Sequence, residues 1–188
     1  MDWTKKITLS TGVRGFFINT LFDATFTLLG VVAGSAFITQ PDLQLITRTL
    51  ITSSIALGIS SGISVYEAEI LEGERRIEEI EKAMIIKLED TIHTDSINVN
   101  ALVASIIVFL TPLVSCLIAS APFLVSRIGF IKVNYAAWSS ILLSLATLGF
   151  VGTYMGRNGK GNPALKGIRM TLFGVLAFLI GFLLESFI

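Results

Sequence analysis

The sequence predicts an all-α membrane protein: five transmembrane helices, with a Glu-rich cytoplasmic helix between the second and third spans. Three observations lead there. The first is composition: 53% of the 188 residues are hydrophobic and 15% charged, and mean hydropathy is +0.77, too apolar for a water-soluble domain of this size. The second is the presence of five apolar runs, each close to the roughly 20 residues that a spanning helix needs. The third is a single charged island. Ten of the fourteen carboxylates, together with the only histidine, His93, lie between Glu67 and Asp95.

The first span is predicted from about Val13 to Ile38, the second from Leu43 to Val65 and the third from Val99 to Phe123. The fourth runs from Tyr135 to Tyr154, and the fifth from Ala164 to Phe187. Pro41, Pro122 and Pro163 fall at or near span ends, where a missing N–H costs little. Pro112 falls inside the third span and predicts a kink there. The chain thus divides into residues 1–66 with the first two spans, an acidic segment at 67–97, and residues 98–188 with the last three spans. An odd number of spans excludes a simple two-fold repeat within the chain.

Orientation follows from the cations. One side of the membrane receives Lys5, Lys6, Arg14, Arg75, Arg76, Lys82, Lys87, Arg157, Lys160, Lys166 and Arg169, and the other only Arg48, Arg127 and Lys132. Because cytoplasmic loops collect Lys and Arg, the N-terminus and the acidic helix are expected in the cytoplasm. The N-terminal residues show no short apolar core ending in a small-residue cleavage site, so no removable signal peptide is expected. The formal net charge is zero and there is no basic patch, which gives no reason to expect nucleic acid as a partner. Cys116 stands alone in an apolar run, which excludes a disulfide framework or cysteine-based metal site within one chain. No nucleophile, base and oxyanion arrangement appears, so no enzyme is expected.

The acidic island consists of good helix formers, with Gly73 its one weak point. Ile70, Ile77, Ile80, Met84 and Leu88 mark one apolar stripe on it. On an ideal helix Glu67, Glu74, Glu78 and Glu81 share one flank, while Glu69, Glu72 and Glu79 share another. Two readings stand. Clustered carboxylates suit a hard or borderline divalent cation; equally, they form a solvated face paired at helical spacing with Arg75, Arg76, Lys82 and Lys87.

Asp23 is the sharpest single residue. It lies well inside the first span, where a carboxylate costs about 2.5–3.5 kcal/mol on insertion scales, and no basic residue lies deep in any span to neutralise it. It reads as a ligand or proton carrier, against the alternative of a structural partner for a hydroxyl on the second span. Thr20, Thr25, Thr27, Ser53, Ser54, Ser60, Ser61 and Ser64 make the first two spans hydroxyl-rich. They line a polar path or bond back to their own helix. Gly30 with Gly34, and Gly58 with Gly62, form GxxxG pairs that allow close helix approach, within one subunit or across a dimer seam.

The stretch FDATFTLLGVVAG, Phe22 to Gly34, resembles the first-span signature of the vacuolar iron transporter family. The second span followed at once by a Glu-rich helix is similar too, as is GNPALKGIRMTLFGVLAFLIGFLL, Gly161 to Leu184, with its NP-x-x-x-G turn before a glycine-spaced last helix. What the resemblance implies is a homodimer of five-span subunits in the lipid bilayer, exporting ferrous iron and often manganese from the cytosol in exchange for protons. Fe2+ or Mn2+ would be bound transiently as cargo, with no resident cofactor. The translocation path between subunits would use Asp23; from the residues themselves we add Glu67 and the hydroxyls at the end of the second span as the groups that receive the cation. Metal would be gathered by Glu69, Glu72, Glu74, Glu78, Glu79 and Glu81. This chain departs from the family at the second span, where a methionine and then Gly-Glu-Tyr are usual: Ile59 occupies the methionine position and Ile63 the glutamate position, leaving Glu67 one turn further on as the nearest acid. The short loops and lack of a targeting extension lead to the expectation of a prokaryotic plasma membrane.

Two readings of other classes compete. One is a non-transporting membrane anchor whose acidic helix docks a basic partner. The other is a proton-coupled exporter of another solute, with the Glu helix only a stalk.

Overall fold

The computed structural model describes residues 11–38, 40–84, 92–157 and 162–187. Five helices make up the bundle: α1 (Thr11–Ala36), α2 (Leu43–Met84), α3 (Ile92–Arg127), α4 (Val133–Arg157) and α5 (Pro163–Phe187). All five are long and apolar enough to cross a membrane, as the spacing of apolar runs predicts.

The acidic segment is joined directly to the end of the second span, with no break between them. Glu67–Met84 simply continue the second span, giving one 42-residue helix. At 1.5 Å per residue that helix is about 63 Å long, roughly twice the hydrocarbon thickness. Nothing in the sequence after Val65 breaks helical hydrogen bonding, so the helix carries on past the apolar run. Gly73, the weak point, has a packing reason: a β-carbon there would meet Ile97 Cγ2 at 2.5 Å, so its absence lets α3 pass close by. From Ile92 the chain is helical again, several residues before the third apolar run begins. Leu88 and Lys87 lie outside the described residues.

Local chemistry explains three of the helix ends. Asp42 caps α2, its Oδ1 accepting from Gln44 N at 2.8 Å and Leu45 N at 3.3 Å, a type of contact that contributes about 1 kcal/mol. Asn162 does the same for α5, accepting from Ala164 N at 3.1 Å, with Pro163 as the first helical residue, where no N–H is needed. After α3 the chain turns through Gly129, whose φ of 89° favours glycine. Pro122 is not at a helix end: both it and Pro112 lie inside α3, which continues to Arg127.

Helix α1 is the hub, packing against each of the other four helices. Its Leu28, Leu29, Val32 and Ala33 join Ile46, Leu50, Phe123, Ile141 and Leu148 in the main core. Val13, Val65, Ala104 and Val108 form a smaller core where α1 begins. Beyond the main core, Phe37 meets Trp138 edge-on at 5.3 Å and Phe182 at 5.8 Å.

The hydroxyls largely bond to their own helices. Thr25 donates to Leu21 O at 2.7 Å, Thr27 to Asp23 O at 2.8 Å, Ser54 to Leu50 O at 2.7 Å and Ser64 to Ser60 O at 2.8 Å. For these four the back-bonding alternative is the one realised. The two GxxxG pairs diverge. Gly58 and Gly62 lie against Phe109 and Ser105 of α3, and Ser105 Oγ donates to Gly62 O at 2.8 Å, whereas Gly30 and Gly34 have open space where a β-carbon would stand.

Candidate functional site

Asp23 sits twelve residues from Thr11 and thirteen from Ala36, at the middle of α1. Its neighbours Ala24 and Thr25 are buried against the bundle, which turns Asp23 to the outside of the subunit. Asn19, one turn earlier, donates from Nδ2 to Asp23 Oδ2 at 3.1 Å. Asn19, Asp23, Thr27 and Gly34 are all exposed, at spacings of four, four and seven. They form a polar and small-residue stripe along α1, whose first turns, Arg14 to Phe17, are exposed as well. An aspartate facing lipid at this depth carries an insertion cost of about 2.5–3.5 kcal/mol, which one hydrogen bond from Asn19 offsets only in part.

Glu67 is also exposed, on α2, following Ile59 and Ile63 at intervals of four, which are 49% and 60% exposed. These three share one outward face. Asp23 and Glu67 are not brought together within the chain. Val13 and Val65 pack in the same small core, so Glu67 stands level with the start of α1, while Asp23 lies ten residues, about 15 Å, further along.

Of the remaining carboxylates, Glu72, Glu74, Glu78 and Glu79 are exposed and Glu69 and Glu81 half-buried. Among the described residues no three or more His, Cys, Asp and Glu side chains converge as a metal site within one chain. The side chain of His93 lies outside the described residues. The pairing alternative is realised at Lys82, whose Nζ donates to Glu78 Oε1 at 2.6 Å. That hydrogen bond, and then the Lys82 charge, holds the Glu78 carboxyl below its usual 4.5, with a smaller contribution from Arg75. A depressed carboxyl stabilises the fold above its unfolded value and loses that contribution as pH falls through its folded value. Because the pair is fully solvated, its effect on stability is small. Lys82→Ala is expected to raise the Glu78 titration midpoint towards 4.5 in an NMR pH series, with no resolvable change in melting temperature.

Asn19 is the site residue that the sequence-based reading passes over. The available signal is its spacing, one helical turn before an aspartate in a membrane span.

A sequence model of the VIT family matches residues 65–186, from the last turns of the second span to α5. A Methanocaldococcus jannaschii protein described as uncharacterized is 25% identical over 171 residues, covering 91% of this chain and 87% of its own length. The family match begins after α1, so Asp23 is supported by the FDATFTLLGVVAG resemblance and by its geometry.

Proposed function

The chain belongs to the VIT family, a family of membrane metal transporters, and on that premise we propose that it moves ferrous iron or manganese out of the cytosol by proton antiport. The observation that carries this reading is the position of Asp23: mid-span, outward-facing, and on a stripe whose Gly34 has open space beside it. A second copy applied to this stripe would remove the carboxylate from lipid and place two aspartates at one seam. That is why the homodimer is part of the proposal. The exposed carboxylates on the α2 extension, cytoplasmic by the lysine and arginine bias, raise the local cation concentration. Glu67 receives the cation where the extension meets the membrane. Asp23 then holds either the metal or a proton, and competition of the two for one negative charge couples their opposite movements. The membrane is the plasma membrane of a prokaryote.

In proteoliposomes containing a pH-sensitive dye, a gradient of Fe2+ or Mn2+ is expected to drive counterflow of protons. Metal entry without proton movement would remove antiport; no metal entry would overturn transport itself. The anchor reading has one observation in its favour, the aliphatic Ile59 and Ile63 on the outward face of α2. An anchor would leave the dye silent with every cation.

A further inference from the structure

Asn19 bonds to Asp23 through its amide nitrogen, and among the described residues no donor reaches its carbonyl oxygen. A carboxamide carries a donor and an acceptor on one rotatable group. Lysine or arginine in the same place would compete permanently with any arriving cation, and leucine would leave the carboxylate without a partner between cargoes. Asparagine avoids both. With Asp23 empty, the N–H satisfies the carboxylate. With a cation present, a turn of the amide presents its oxygen to the same ion.

We infer that Asn19 is a second metal ligand at Asp23, making an all-oxygen pair suited to a hard divalent cation such as Mn2+. The inference rests on the transport reading above and adds a ligand to it. The outward stripe offers Asn19, Asp23 and Thr27 but no sulfur or imidazole. Cys116 is buried in α3, and the positions where the family resemblance places methionine and glutamate are Ile59 and Ile63. Oxygen donors of this kind favour Mn2+ over softer ions. Because the ligands sit at i and i+4 on one helix, both arms reach the same side without any movement of the backbone.

The test uses Mn2+ uptake by the reconstituted full chain, with KM and kcat determined separately. Asn19→Leu keeps the branched side-chain shape but has no oxygen, and is expected to raise KM for Mn2+ by about tenfold or more, the scale on which loss of a partner in a metal site is felt. Asn19→Asp cannot donate but can ligate, and is expected to keep KM within about twofold of the native value, far less than the tenfold that corresponds to 1.4 kcal/mol. An unchanged KM in Asn19→Leu would overturn the inference. So would an Asn19→Asp variant as impaired as Asn19→Leu, because Asn19 would then only be steadying Asp23. Asp23→Ala, run in parallel, separates the two levels. If it abolishes uptake while Asn19→Leu is silent, Asn19 alone is wrongly assigned; if it transports normally, the Asp23 pathway falls.

Discussion

Asp23→Ala is expected to reduce metal-driven proton counterflow to that of protein-free liposomes, and to leave the protein at least as stable as before. Both halves follow from the same placement. The carboxylate lies at the centre of α1 and points out of the subunit, so its removal deletes no core contact. It also removes a charge held away from water, which costs about 2.5–3.5 kcal/mol facing lipid and is set against a second aspartate at a seam between two copies, less the modest contribution of the Asn19 hydrogen bond, about 1 kcal/mol or somewhat more for a charged acceptor. A residue kept for packing gives the opposite signature, with stability falling alongside activity. Melting temperature in detergent and flux in liposomes, measured on one preparation, therefore separate function from architecture. Asp23→Asn sharpens the test. It preserves shape and an acceptor for Asn19 but carries no charge, and is expected to be as inactive as the alanine variant. Full activity in either variant would show that the cation takes another route.

The five spans are legible in the sequence because lipid imposes a length and an apolar composition that few other constraints imitate. Asp23 is legible for the same reason, as one carboxylate among apolar neighbours. What the sequence does not reveal is which way α1 faces. Helix α1 is apolar on nearly every side, so no amphipathic pattern marks its outward stripe; the four helices packed around it select that stripe. The acidic helix and the second span to which it is joined form one element, α2. Hydropathy changes abruptly after Val65 while helix propensity does not, and a boundary drawn from polarity does not coincide with one in the backbone. Gly73, a weak point when only propensity is considered, is explained by the approach of Ile97 from a helix that begins beyond the acidic island. Asn19 is overlooked because one amide in a span costs far less than a charge, and its meaning depends on its bond to Asp23.

The two GxxxG pairs are identical as sequence motifs and are expected to fail differently when filled. A β-carbon at Gly58 would stand 2.8 Å from the main-chain oxygen of Phe109. A carbonyl held in α3 cannot swing aside as a flexible side chain would, so Gly58→Leu must push α2 and α3 apart. Overpacking of this kind costs about 1–3 kcal/mol, and the variant is expected to melt earlier and be recovered in lower yield. Gly34 meets nothing within 4 Å, so Gly34→Leu leaves the subunit's own packing untouched. Helicity and yield are expected to stay at native levels. If a second copy closes over the stripe of Asn19, Asp23, Thr27 and Gly34, however, the added side chain stands in the seam, where association in lipid depends on close backbone approach. Gly34→Leu is therefore expected to elute as a monomer in light-scattering chromatography and to lose flux together with the dimer. A dimeric, active Gly34→Leu variant would move the subunit interface away from α1 and leave Asp23 to be shielded by something other than a second copy.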